Sequence, residues 1–435
     1  MQVRPKRPTV TATVPGPTLG VVGGGQLGRM LAEAAAPLGV EVVVLDPTPD
    51  CPASLVARDQ VLGSFDEADA VHDLAARVDA LTFEIELADP DVLEEVSEEY
   101  DIPVHPSPDT LRMIQDKLVQ KDTLGEAGIP IPEFRQVDDA DDLRDAVEEF
   151  GAVMLKARTG GYDGRGNVPV TSVDEAEDAL ADIGHAPAMA EAFVDFVREV
   201  SVIGVVGDDE TRVFPLGENV HEAEILRETV VPARTSDAVT ERAKEVAYDV
   251  LDQLEGRGVY GIELFETSGS PRDSDPSSGQ GPRDSGGEIL VNEIAPRPHN
   301  SGHWTIEGAM TSQFEQHARA VLGWPLGSTA LRAPTVSANI LGDIEENQPA
   351  ELHGVDGVLA ADGVSLHWYG KHEVRPLRKM GHITAVGDAE SLASTDGHDV
   401  ADGGGDTGGN DVPDVAVDDL LAAARDHIDS LTFDP

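Results

Sequence analysis

Residues 292–304 read NEIAPRPHNSGHW, and they end a strand-like run, GEILVNEIAP (287–296). A second such run, VYGIELFE (259–266), lies upstream. Between the two sits TSGSPRDSDPSSGQGPRDSGG (267–287), a low-complexity, turn-forming stretch in which PRDS occurs twice. A hairpin of the two strands sets Glu263 beside Glu293, with Asn292 next to the second. Two carboxylates and an amide make a hard oxygen site suited to Mg²⁺ bridging nucleotide phosphates, with Mn²⁺ an alternative. The plainer reading is two exposed strand acids in an acidic chain. What favours a site is the sequel, in which an apolar strand delivers Arg297, His299 and Asn300 at its end. His299 and His303 lack an evident third ligand for zinc.

Working outward, KARTGGYDGRGN (156–167) opens with Lys156 at a strand end and continues as a glycine loop. Its backbone N–H groups can fold over phosphates. It is not a Walker-type loop, and a mobile surface loop is the alternative. Lys117, on a helix upstream, offers a second point charge for a phosphate. Nearer the start, Gly23, Gly25 and Gly28 satisfy G-x-G-x-x-G after a strand and before a helix, and Asp46 ends the next strand. Alone, that fingerprint suits a dinucleotide such as NAD or merely a tight turn. Downstream, YGKHEVRPLRKMGH (369–382) gathers Lys371, Arg375, Arg378 and Lys379 into a candidate anion site. The chain has only seven lysines (6, 117, 121, 156, 244, 371 and 379), and five fall in or near these stretches.

The whole chain has 435 residues, enough for two or three domains with cores. Its 82 acidic and 31 basic residues give a net charge of −51. Such an excess disfavours a nucleic-acid partner. Spread along the chain, with lysine scarce, it suits a high-salt cytoplasm where counterions screen the repulsion. Cys51 is the only cysteine, which excludes an intrachain disulfide and a cysteine metal cluster. With no apolar run long enough to span a bilayer and no signal-peptide core, the expectation is a cytoplasmic protein without a membrane partner.

Element patterns divide the chain. TLGVVGGGQLGRMLAEAAAPLGVEVVVLD reads as strand, glycine turn, helix, strand, and DALTFEIEL as a later strand of the same parallel sheet. PDTLRMIQDKLVQKDTLGEAG reads as one helix leading into a second region. The expected layout is a loose leader (1–16), an N-terminal Rossmann-like domain (17–108) and a central α+β domain (109–330) with a lid (125–195). After these come a small C-terminal β-rich unit (331–390), an acidic flexible linker (391–413) and a C-terminal helix (414–435). Both the 267–287 insertion and the linker are expected to be disordered.

Together GGGQLGRM, RTGGYDGRG, NEIAPRPHNSGHWT and HWYGKHEVRPLRKMGH resemble the ATP-grasp superfamily. Within it they resemble the family of N5-carboxyaminoimidazole ribonucleotide synthetases, over about residues 18 to 385. The resemblance implies an α/β ATP-grasp fold. It implies ATP-dependent carboxylation of 5-aminoimidazole ribonucleotide (AIR) by bicarbonate, through carboxyphosphate, in purine biosynthesis, with no biotin. It also implies a homodimer. Lys117 and Lys156 would meet ATP phosphates under the loop Gly161, Tyr162, Asp163, Gly164, Arg165, Gly166 and Asn167. Glu191, Ala192, Phe193 and Val194 would form the adenine hinge, Glu199 would hold the ribose, and His221 and Asn292 would line the cleft. Glu263 and Glu293 would ligate Mg²⁺. Bicarbonate would lie near Arg297 and His299, with Asp163 as general base and Lys371 completing the reacting centre. Tyr162, Arg165 and Asn300 would contact AIR. Its phosphate would meet Lys371, Arg375, Arg378 and Lys379, closed off by Gln26 and Leu27, with Glu84 or Glu86 facing the substrate.

Two features depart from the family pattern: Asp195 stands where the hinge usually has proline, and the insertion after Thr267 separates the metal-ligand strands. The nearest rival is another ATP-grasp ligase that joins formate to glycinamide ribonucleotide; PRPHNSGHW favours the carboxylase. An NAD-dependent dehydrogenase accounts for the glycine fingerprint and leaves the other stretches idle. A non-catalytic nucleotide-binding module would not need both Glu263 and Glu293.

Overall fold

Four short runs rich in Val and Leu form a parallel sheet: β1 (Thr18–Val22), β2 (Glu41–Asp46), β3 (Asp59–Leu62) and β4 (Ala80–Phe83), in the order β3-β2-β1-β4. A computed structural model describes residues 11–160, 166–268, 287–387 and 414–434. The inner strands β2 and β1 are buried on both faces beyond their first residues, as a sheet with helical crossovers requires. Strand β4 stops at Phe83, so FEIEL leaves the sheet at Glu84, whose carboxylate accepts the N–H groups of Gly25 and Gly28. The segment read as a single helix from Pro108 is two, Pro108–Gln115 and Lys117–Glu126. Asp116 breaks it because its side chain accepts the N–H groups of Leu118 and Val119, capping the second helix. The same carboxylate pairs with Arg158, at the start of the glycine loop.

A second sheet, β5 (Phe134–Val137), β6 (Val153–Ala157), β7 (Asn167–Val170) and β8 (Ala188–Ala192), runs antiparallel in the order β5-β8-β6-β7. Helix Ala140–Phe150 packs Leu143, Ala146 and Val147 against it. Residues 193–195 join this sheet to the central one without regular structure.

The central sheet holds β9 (Phe196–Val206), β10 (Thr211–Val213), β11 (Gly217–Glu222), β12 (Ile225–Val231), β13 (Gly258–Thr267) and β14 (Ile289–Ala295). It continues through β15 (Thr335–Leu341), and a small pair, β16 (Gln348–Pro349) with β18 (Glu373–Val374), lies beside it. β17 (Val364–Trp368) and β19 (Lys379–Val386) complete the order β14-β13-β9-β11-β12-β15-β19-β17, with β10 on β9. The C-terminal strands therefore extend the central sheet through the antiparallel β12–β15 pairing. Helix Gln313–Val321 inserts Phe314, Ala318 and Val321 into the core shared with the first helix, which carries Leu27, Met30 and Leu31. Helix Asp414–Asp429 covers the C-terminal strands with Val417, Leu421 and Ala424, each larger side chain contributing about 1.5–3 kcal/mol by burial. Arg425 pairs with Glu228 at 3.0 Å, and Arg234 with Asp418 at 2.6 Å, so the helix is tied to β12 and its exit. The expected disorder of the insertion and the acidic linker falls outside the described residues, apart from Thr267, Ser268 and Gly287.

Candidate active site

The hairpin of β13 and β14 sets Glu263 directly opposite Glu293, where a register shift follows Glu263. Facing carboxylates repel, and their surroundings push them apart in acidity. Burial, then the charge of Glu293, raises Glu263 to about 7. Lys117, 3.3 Å from Glu293, holds that carboxyl below its ordinary value. His299 Nε2 lies 3.7 Å from Glu263, and the loop bearing it crosses Gly261, where a Cβ would sit 2.5 Å from that of His299. Arg297 reaches back to Glu86 at 2.8 Å. These contacts bring strand ends of the N-terminal and central sheets to one place.

Lys117, Lys156, Asn292 and Glu293 line one small pocket, together with Lys121. Lys156, on β6, pairs with Glu191 of β8. Phe193, in the hinge, is 48% exposed. Glu199 and His221 face each other from β9 and β11, His221 at a bulge. Burial opposes the charge of His221, but the bond to Glu199 and its charge outweigh burial and raise the imidazole above its ordinary 6.5. A raised histidine pKa adds stability that is complete below the unfolded value and is lost as pH rises through the folded one. His221→Gln is therefore expected to cost on the order of 1 kcal/mol at pH 6, about 1 °C in the thermal midpoint of a chain this long, and much less at pH 9. An equal loss at both pH values would show that the ion pair is not the source.

At the far end, Lys371 donates to Gln26 Oε1 at 3.0 Å and to the carbonyl of Lys379, and lies 5.4 Å from the Tyr369 ring centroid. Segments 345 residues apart in sequence thus meet. Arg378 donates to the carbonyl of Glu373 at 2.7 Å, and burial then Arg375 pull its pKa down. Arg375 is exposed and pairs with Glu373 at 3.0 Å.

Other assignments look different in three dimensions. Leu27 is 8% exposed and packs in the core, so only its backbone faces the turn. The Asn300 amide is engaged with Asn339 on β15, donating at 3.2 Å and accepting at 2.7 Å. Of the two acids left open, Glu84 fills the glycine turn and Glu86 meets Arg297. The turn leaves no room for another side chain: Gly23 has φ +107°, and a Cβ on Gly25 would lie 2.8 Å from Glu84 Oε1. The N–H groups of Gly23, Gly24, Gly25 and Gly28 are used internally, by Leu45, Asp46 and Glu84, and Asp46 also accepts from Thr48 at 2.8 Å, so these glycines do not present them to a dinucleotide. His303 is fully buried and held well below its ordinary pKa by desolvation. Among the described residues, the one grouping with three-ligand metal spacing is His72, Glu95 and Glu99, away from both candidate zinc histidines. Gly161, Tyr162, Asp163, Gly164 and Arg165 lie outside the described residues. Lys121, not assigned from sequence, is 2.7 Å from Glu191. Its signal was the scarcity of lysine and its place one turn after Lys117.

Comparison with known proteins fits this geometry. Residues 17–115 match the ribonucleotide synthetase preATP-grasp domain, 122–314 the ATP-grasp domain, and 335–395 the phosphoribosylaminoimidazole carboxylase C-terminal domain. The chain is 40% identical over 380 residues to N5-carboxyaminoimidazole ribonucleotide synthase of Brucella melitensis, covering 86% of this chain and 98% of that protein. It is also 40% identical to the chloroplastic phosphoribosylaminoimidazole carboxylase of Vigna aconitifolia, of whose length it spans 64%. A solved N5-carboxyaminoimidazole synthase of Aspergillus clavatus, in complex with ADP and 5-aminoimidazole ribonucleotide, superposes with a TM-score of 0.77 at 34% identity, covering 95% of this chain and 98% of that one. No helix among the described residues is long and apolar enough to cross a membrane. Matched along nearly the whole length of its Brucella relative, the chain belongs to the N5-carboxyaminoimidazole ribonucleotide synthase family of ATP-grasp ligases.

Proposed function

We infer that the chain carboxylates the exocyclic amine of AIR with bicarbonate, forming N5-carboxyaminoimidazole ribonucleotide and releasing ADP and phosphate. One observation carries this reading: a lysine-lined pocket includes Glu293 of a facing carboxylate pair, Arg297 at the end of the same strand reaches Glu86, and a second cationic group at Lys371 holds Gln26 of the glycine turn that Glu84 fills. Two cationic groups and a part-buried arginine suit a nucleotide triphosphate, a ribonucleotide phosphate and a small oxyanion. The Aspergillus relative holds ADP and AIR, which is the same pair of ligands.

Glu263 and Glu293 fit a Mg²⁺ ion, since facing oxygen donors that repel each other are relieved by a divalent cation. Bound there, the ion would offset charge on the β- and γ-phosphates. The protein's own groups supply the rest. Lys117 and Lys156 meet phosphate oxygens as point charges. A bicarbonate oxygen attacks the γ-phosphorus, the bond to the ADP oxygen breaks, and carboxyphosphate results. Arg297 and His299 orient bicarbonate and stabilise the developing negative charge. The AIR amine then attacks the carboxyl carbon, or CO₂ released from it, phosphate leaves, and a base takes the amine proton. Asp163 is the proposed base, with Tyr162 and Arg165 beside the substrate, on the strength of the resemblance. Lys371 and Arg378 take the AIR phosphate. The same reading makes the protein a cytoplasmic homodimer working in high salt.

ADP release in molar KCl with Mg-ATP tests the reaction. ADP formation that requires AIR, and an acid-labile carbamate that requires bicarbonate, are expected. Stimulation by formate and glycinamide ribonucleotide instead of AIR would overturn the substrate assignment.

A further inference from the structure

Lys121 is the most deeply buried of the three lysines around the nucleotide pocket. Its side chain is 3% exposed, against 20% for Lys117 and 13% for Lys156. It lies one helical turn beyond Lys117, so both ammonium groups leave the same face of helix Lys117–Glu126. Its Nζ is 2.7 Å from Glu191 Oε2 and donates to the carbonyls of Val291 at 3.0 Å and Asn292 at 3.1 Å. Strand β14 is an edge strand, where carbonyls facing outward need partners other than a neighbouring strand. One ammonium group therefore joins the helix, the lid sheet through β8 and the central sheet through β14.

Glu191 receives a second cation, Lys156, on its other oxygen. Burial pushes its carboxyl toward the neutral form, and the two ammonium groups outweigh this and hold it at about 2. Two cations on one carboxylate are one more than charge balance requires. Of the two, Lys156 sits at the mouth of the glycine loop, while Lys121 is locked to backbone carbonyls.

We propose that Lys121 is a positioning residue for the nucleotide: it keeps the Glu191 carboxylate paired and fixed in the cleft while Lys156 leaves it for the ATP phosphates. This rests on the reading of Glu191 as the acceptor for the adenine amino group. Without Lys121, departure of Lys156 leaves a buried carboxylate with no cation and only the neutral adenine amino group as donor, which is strongly unfavourable. Lys156 then stays on Glu191, and the phosphates lose their ligand. With Lys121 in place, Lys156 exchanges one anion for another.

Calorimetric binding of ADP and GDP to Lys121→Met, Lys121→Arg, Glu191→Gln and the Glu191→Gln/Lys121→Met double variant, in molar KCl, tests this. Lys121→Met is expected to weaken ADP binding by about tenfold or more and to narrow the ADP:GDP ratio. Lys121→Arg, which keeps the charge, retains most of the affinity. The double variant binds ADP no worse than Glu191→Gln alone, because no carboxylate remains to be stranded. Unchanged ADP binding by Lys121→Met, or losses that simply add in the double variant, would overturn the proposal. Should Lys121→Met fail to fold, the double variant is expected to fold; its failure beside a folded Glu191→Gln counts against the proposal. An unaltered ADP:GDP ratio in Glu191→Gln instead removes the base-reading role of Glu191, and the coupling measured by the cycle still decides the Lys121 pairing.

Discussion

Glu293→Gln is expected to lower AIR-dependent ADP release by about a hundredfold to a thousandfold while the protein folds as well as its parent. The substitution is isosteric and removes one of two carboxylates that face each other across the hairpin. Repulsion between them is part of what holds Glu263 at about 7, so neutralising one relieves the other. Lys117 loses its nearest partner but keeps the charges of Glu86 and Glu191 near it. The fold therefore gives up little, whereas the oxygen site for the cation is halved. The measurements are kcat with saturating Mg-ATP and the thermal midpoint of the same preparation. Loss of activity with an unchanged midpoint is the expected pair. A variant as active as the parent would remove Glu293 from the metal site, and a collapsed midpoint would make the residue structural.

The reason this pair was legible in the sequence is local. Two apolar runs separated by a turn-rich insertion have one simple arrangement, and period-two alternation then fixes which residues oppose one another. The glycine fingerprint was ambiguous for the opposite reason. Its N–H groups are filled by Glu84, which lies 56 residues beyond Gly28 and is brought back only by the order of the parallel strands. Nothing near the turn in the sequence announces that carboxylate. The break at Asp116 was marked by a capping residue inside a helical pattern, but its decisive partner, Arg158, comes from the lid sheet. Leu27 and Asn300 stood in the right segments, yet side-chain direction sends one to the core and the other to Asn339. Lys121 was hidden by its neighbour: on a helix, the more exposed Lys117 reads as the ligand, and burial of the second lysine depends on β14 packing against it. Fold class and the cationic stretches are written in short segments. Which polar group meets which is settled by tertiary contact.

The second large effect concerns Arg297. Arg297→Met is expected to reduce kcat by about a hundredfold or more with ADP affinity held within about twofold. Arg297 stands 2.8 Å from Glu86 and within the field of Glu84 and Glu293. Its guanidinium does two things that a neutral side chain cannot. It offers a planar donor set to a small oxyanion, and it offsets the charges of Glu86 and Glu84. Burial already lifts Glu84 to about 7, and the positive charge of Arg297 works against that rise. Methionine removes the restraint, so Glu84 moves further up and binds a proton at neutral pH. The pH profile then separates the two contributions. If charge balance alone mattered, raising the pH would change the variant's rate as Glu84 loses its proton, and Arg297→Lys would restore most of the activity. If oxyanion recognition dominates, the lysine variant stays slow because a point charge does not reproduce the guanidinium fork, and added guanidinium ion partly rescues Arg297→Met. The second pattern is the expected one. A lysine variant with parental kcat would show that Arg297 acts through Glu84 and Glu86, leaving His299 as the remaining candidate to orient bicarbonate.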